Sequence, residues 1–206
     1  PYEFKAMKLF KADGYKLADG LEEKIESIVL DGQEEIPVPT HKHIGHVNVA
    51  ENAAKDYIEH VKSTVPFALN GMRVALDCAN GSASRTARKL FEELGAECHM
   101  LFCNPNGSNI NENCGSTHMD ALKEYVKENK LDAGIAFDGD ADRCLAVDHE
   151  GNLVDGDFIM AICAADLKSR GKLANNTVVG TIMTNLGFVR FCEENNLKFV
   201  STKVGD

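Results

Sequence analysis

Basic residues are scarce: 22 lysines and arginines face 32 aspartates and glutamates, for a formal net charge of −10. That deficit argues against non-specific binding to nucleic acid or to an anionic membrane surface. No apolar run approaches the roughly 20 residues of a membrane span, and no signal-peptide pattern opens the chain. C-x-x-C pairs are also missing. The seven cysteines (78, 98, 103, 114, 144, 163 and 192) are odd in number and scattered, mostly within apolar strand or helix patterns. Buried free thiols in a reducing cytoplasm are expected, rather than disulfides or a zinc site. There is no G-x-x-x-x-G-K-[ST] phosphate loop, and neither Ser82 nor Ser84 has a base partner that would suggest a hydrolase triad.

What is present is ordinary for a globular protein: 206 residues, 44% hydrophobic and 26% charged, enough for one large domain or two small ones. The ends are abrupt. Pro1 runs directly into a strand-like pattern, and Val204-Gly205-Asp206 follows a strand with no terminal helix or polar tail, so the expectation is an excerpt of a longer protein.

Residues 1–17 read as extended structure around an Asp13-Gly14 turn. Asp19 resembles an N-cap for a helix with Leu21, Ile25, Ile28 and Val29 on one face. A linker with Pro37 and Pro39 follows; its histidines, His41, His43 and His46, lack acidic or thiol partners and read as solvent-exposed. From Asn48 to Asp148 helical and strand patterns alternate, which indicates an α/β sheet, largely parallel. The predicted strands are 72–79, 96–103, 131–137 and 143–148; the helices are 48–65, a segment capped by Ser82 or Ser84 and ending at Gly95, and 118–130. After Asp155 a second α/β unit begins, with helices from Asp155 and Leu186 and strands at 177–183 and 198–204. Two loops between these elements read as structural. Asn80 to Ser84 is a capping turn packed close to a neighbouring segment, and Asn104 to His118 is a set of Asx and glycine turns.

Asp138-Gly139-Asp140-Ala141-Asp142-Arg143 is different. It follows a short apolar strand and places carboxylates at i, i+2 and i+4. Carboxylates this close repel one another unless a cation lies among them, and oxygen-only ligation suits a hard ion, Mg²⁺ ahead of Ca²⁺. Gly139 is expected to let the backbone turn sharply. An EF-hand shares the D-x-D-x-D opening but needs Gly at loop position six and Glu at twelve, where this chain has Arg143 and His149. The end of a buried strand is also where α/β sheets place their ligands.

Phe137-Asp138-Gly139-Asp140-Ala141-Asp142-Arg143 resembles the metal-binding loop of the α-D-phosphohexomutases, which move a phosphoryl group between two positions of a hexose. The resemblance extends over all 206 residues. Pro1-Tyr2-Glu3-Phe4, Asp13 to Leu17 and Val179 to Gly187 are similar to other segments of that family. The Asn104–His118 loop and Ser201 to Asp206 are most similar to its amino-sugar branch.

This resemblance implies α/β domains with mixed, largely parallel sheets: the tail of a first domain (1–40), a complete second domain with the metal loop (41–154) and the start of a third (155–206). It implies that Asp138, Asp140 and Asp142 bind Mg²⁺, and that Arg143 lies beside a catalytic phosphoserine and the substrate phosphate. Lys8 falls at a general acid/base position, although Lys5-Ala6 replaces the usual Asn-Gly before it. Gly205 and Asp206 would face the sugar. The phosphoserine would precede Pro1, and the remaining sugar and phosphate loops would follow Asp206.

The implied activity is interconversion of glucosamine 6-phosphate and glucosamine 1-phosphate through a bisphosphorylated sugar. The partner is then a phosphosugar, with no nucleic acid and no membrane, and a homodimer of the parent is compatible with the resemblance. A mannose or glucose phosphate mutase of the same superfamily is the near alternative. A non-catalytic Mg²⁺-binding module is the alternative from another class.

Overall fold

The computed structural model describes residues 9–32 and 38–204. They fall into two compact units, 2–53 and 54–206. In the first, Phe10 and Lys16 form an antiparallel bridge across a turn at Gly14. Helix α1 (Asp19–Leu30) follows. Its N-cap is Ala18 rather than Asp19, and no side chain caps it. Asp19 lies inside the first turn, where its negative charge still complements the helix dipole. No residue of α1 is buried in this unit.

The second unit is built on β1 (Arg73–Asp77), whose last four residues are all buried. A parallel strand covered on both faces needs such a continuous apolar run. In the sheet order β2-β1-β3-β4-β5, β1 lies between β2 (Glu97–Leu101) and β3 (Ala133–Phe137), parallel to both. β4 (Cys144–Asp148) and the short β5 (Leu153–Val154) continue the sheet antiparallel. Alternation along β1 splits the core in two. Ala75 packs with Leu122 and Val126 of α4 (Asp120–Glu128) on one face. Val74 and Leu76 pack with Ala87 of α3 (Ala87–Glu93) on the other. Helix α2 (Ala53–Thr64) joins α3 through the Lys62–Glu93 ion pair.

Helix α5 (Gly156–Ser169) starts the next layer, and its N-cap Asp155 accepts a hydrogen bond from the Phe158 N–H. Strands β6 (Thr177–Thr181) and β7 (Lys198–Thr202) pair in parallel and are joined by α6 (Leu186–Glu194). This α-β-α-β order repeats α2-β1-α3-β2. The first bond beyond each pair matches too: Cys78 N–H donates to Leu101 O as Ile182 N–H donates to Thr202 O. The repeat is invisible at the residue level because only the backbone pattern recurs. Phe158 and Ile162 of α5 are exposed; Ala164 is the residue this helix buries.

All seven cysteines are unpaired. Among the described residues no helix is long and apolar enough to cross a membrane.

Candidate metal centre at the carboxyl ends of β1 and β3

After β1 the chain leaves for α3 and β2 on one side; after β3 it turns back into β4 on the other. The crevice between two such strand ends is where open α/β sheets hold ligands. The segment 138–143 leaves the end of β3 there and meets the turn that follows β1 through the Ser82 N–H bond to Gly139 O. Carboxylate oxygens of Asp138, Asp140 and Asp142 all lie within 4.8 Å of one another. Asp138 is buried and the other two are exposed.

The sharp turn comes from Ala141, not from Gly139: Ala141 has φ +60° and Gly139 does not enter the left-handed region. A left-handed alanine is uncommon and costs on the order of 1 kcal/mol. It is held by the Ala141 N–H bond to Asp138 O at 3.1 Å.

Arg143 closes the loop. Its backbone N–H reaches Asp138 Oδ1 at 3.2 Å and its Nε reaches Oδ2 at 2.8 Å, with Asp142 Oδ1 at 3.7 Å. The hydrogen bond to Asp138, and then the charge of that carboxylate, push the guanidinium pKa further up. The guanidinium is the positive charge that the loop itself supplies, and it remains largely exposed. Three hard oxygen donors, one buried and two at the mouth, fit an ion that retains part of its water shell, as Mg²⁺ does.

Two further loops abut this one. Asp77 at the end of β1 is fully buried and accepts from the N–H groups of Ala79 (2.9 Å) and Gly115 (2.8 Å). Burial pushes its carboxyl above the ordinary value and the two N–H bonds oppose that. Gly115 has φ +73°, and a Cβ there would lie 2.5 Å from Phe137 O. Asn80 anchors the polar loop with both ends of its amide: Oδ1 accepts from Asn104 N–H at 3.1 Å and Nδ2 donates to Asn109 O at 3.3 Å. Inside that loop Asn106 and Asn109 bond neighbouring backbone as Asx turns do, which agrees with its reading as self-ordered structure.

The Asn80–Ser84 turn packs against Gly139 but caps nothing. Neither the 3₁₀ turn Ser82–Arg85 nor α3 has a side-chain cap. Ser84 Oγ and Asn111 Oδ1 are buried without a hydrogen-bond partner. Burial, with lesser contributions from Cys103 and Asp77, raises the Cys78 thiol to about 12, which makes it inert as a nucleophile.

Lys8, Gly205 and Asp206 lie outside the described residues. His41, His43 and His46 are exposed. Among the described residues, the three aspartates are the one group of three or more potential metal ligands that converges. Sequence reasoning missed Asp77 as the residue that fastens the polar loop. The available signal was a carboxylate inside an otherwise apolar strand.

Comparisons with known proteins agree on the surroundings of this centre. The family model described as phosphoglucomutase/phosphomannomutase, alpha/beta/alpha domain II, matches residues 55–151, and the corresponding domain III model matches 155–206. A phosphoglucosamine mutase of Clostridium acetobutylicum is 52% identical over the whole chain, and one of Acetivibrio thermocellus is 50% identical. This chain covers 46% of each, so it spans about half the length of these curated relatives. A solved phosphoglucomutase/phosphomannomutase family protein from Burkholderia thailandensis superposes with TM-score 0.63 at 25% identity, covering 74% of this chain and 33% of that one. A structure from Thermus thermophilus gives TM-score 0.67 over 93% of this chain and 44% of that one; at 15% identity it speaks for the fold alone. The two family models leave only 152–154 unmatched between 55 and 206, and the chain belongs to the phosphoglucomutase/phosphomannomutase family.

Proposed function

We propose that this chain is the metal-binding middle of a phosphoglucosamine mutase, which interconverts glucosamine 6-phosphate and glucosamine 1-phosphate. The carrying observation is the convergence of Asp138, Asp140 and Asp142 within 4.8 Å at a strand end, in a family of phosphohexose mutases. The amino-sugar preference draws on the 52% identity to a relative of that name. In this reading residues 1–40, 41–154 and 155–206 are the tail of the first domain, the second domain and the start of the third.

The aspartates would hold Mg²⁺, which when bound offsets the negative charge of a phosphoryl group in transfer. Asp138, buried and fixed by Arg143, gives the loop a rigid donor; Asp140 and Asp142 present theirs at the open side. The exposed Arg143 guanidinium is placed to attract a phosphate beside the carboxylates. Lys8 is proposed for proton transfer, and Gly205 and Asp206 for the sugar side. The unpaired thiols fit a reducing compartment, and we place the protein in the cytoplasm on that basis.

The test is a coupled assay of the protein encoded by the complete reading frame, with glucosamine, glucose and mannose phosphates compared. Mg²⁺-dependent turnover is expected with kcat/KM highest for the glucosamine phosphates. A preference for glucose or mannose phosphate would move the protein to the sister activities, and no turnover on any of them would reject mutase function. Lys8→Ala is expected to lower kcat in the same assay, whereas an unchanged kcat would reject a role for Lys8 in proton transfer.

A further inference from the structure

Beyond the bonds that Ala141 and Arg143 make to Asp138, the metal loop rests on two other loops, on the backbone of one and the side chains of the other. Ser82 N–H donates to Gly139 O at 2.9 Å, between the first and second aspartates. Gly81 approaches the same peptide so closely that a Cβ on it would lie 2.8 Å from the Gly139 carbonyl carbon and Cα, and closer still to the oxygen. From another side, a Cβ on Gly139 would lie 2.7 Å from Ile110 Cδ1 and 2.8 Å from Asn111 Nδ2. Asn111 is tied to the first turn in its turn, through its N–H to Ala79 O at 2.9 Å. The Gly139 peptide is therefore gripped between the 79–82 turn and residues 110–111.

We infer that Gly81 and Ile110 are positioning residues for the metal site: they fix the Gly139 peptide, and with it the separation of Asp138 from Asp140 and Asp142. This rests on the reading of the aspartates as a Mg²⁺ site. A methyl group on Gly81 has no room, because its obstacles are backbone atoms of the ligand loop and not the movable end of a side chain. The Gly139 peptide must retreat, and it carries the neighbouring carboxylates with it. Displacing a supporting contact of a metal ligand typically weakens the metal by about 10–100-fold.

The experiment is a direct binding titration of the full-length protein with Mn²⁺, counting free ion by electron paramagnetic resonance, with Mg²⁺ as competitor. Melting temperatures in EDTA are recorded beside it. Gly81→Ala is expected to weaken Mn²⁺ at least about 10-fold. The control is Gly171→Ala, a glycine after α5 and outside both supporting loops, with φ +64° and nothing within 4 Å of an added Cβ. It is expected to melt lower through backbone strain while binding Mn²⁺ like the wild type.

Ile110→Ala strains no backbone and removes one side of the grip, so it decides the matter if Gly81→Ala does not fold. A several-fold loss of affinity is expected from it. The inference is overturned if folded Gly81→Ala binds Mn²⁺ as the wild type does, if Gly171→Ala weakens binding equally, or if Ile110→Ala leaves affinity unchanged. Failure of the underlying metal reading looks different, because the wild type itself would then show no saturable Mn²⁺ site.

Discussion

Asp140→Asn in the full-length protein is expected to lower Mg²⁺-dependent turnover by about 100-fold or more, with no loss of melting temperature in EDTA. The two halves of the result have one cause. Asp140 is exposed and its carboxylate lies within 4.8 Å of those of Asp138 and Asp142. Without a cation, three such charges work against the fold; with one, they hold it in common. Replacing the second carboxylate by a neutral amide relieves repulsion and leaves the Arg143 bonds to Asp138 intact. If the aspartates hold Mg²⁺ as proposed, it also removes one of three charged donors from a metal whose charge stabilisation in phosphoryl transfer would amount to several kcal/mol. Turnover as a function of Mg²⁺ is measured alongside melts of both proteins in EDTA. Full Mg²⁺-dependent turnover in the mutant, or a much lower melting temperature without metal, would make the loop a structural acidic turn and defeat the proposed function.

How far this could be read from residues alone differs between the loop and its supports. The i, i+2, i+4 spacing after an apolar strand was enough to anticipate converging carboxylates, since a tight turn leaves them little other choice. The alternation of apolar runs and helical faces gave the α/β layers, because β1 is buried on both sides, β3 is buried on one and half-buried on the other, and both read as continuous strands. Helix starts were harder. Asp19 and Ser84 are good capping residues by type, yet neither caps: Ala18 precedes α1, and Ser84 lies inside a 3₁₀ turn that delays α3 until Ala87. Gly139 was expected to make the turn that Ala141 makes, because glycine's ordinary use is conformational and its use here is to admit close neighbours. Those neighbours could not be foreseen. Gly81 and Gly139 lie in different loops, and Asp77 meets a Gly115 amide 38 positions away. No local pattern encodes such a pairing; only the sheet order, which sets the ends of β1 and β3 side by side, brings it about.

That long-range pairing sets the second large expectation: Asp77→Ala should destabilise the protein by about 2–4 kcal/mol and lower its melting temperature by roughly 4–16 °C. Asp77 is fully buried, and its two oxygens take the N–H groups of Ala79 and Gly115. Alanine leaves both donors unsatisfied, at about 1–3 kcal/mol each, offset in part by removal of a charge from an apolar site. The pH dependence separates these contributions. Burial holds the Asp77 carboxyl above its ordinary 3.8, so the folded protein binds that proton more tightly than the unfolded chain does. A carboxyl raised on folding makes stability fall as pH rises from about 3.8 through the raised value. The advantage of wild type over Asp77→Ala should therefore be larger near pH 4 than at pH 7, while every group common to the two proteins cancels. Denaturant melts of the pair in EDTA across that range measure it. An advantage that grows with pH would mean that the two N–H bonds outweigh burial and that the carboxyl is held low. A difference near zero throughout would mean that Ala79 and Gly115 find other acceptors and that Asp77 does not fasten the 104–118 loop.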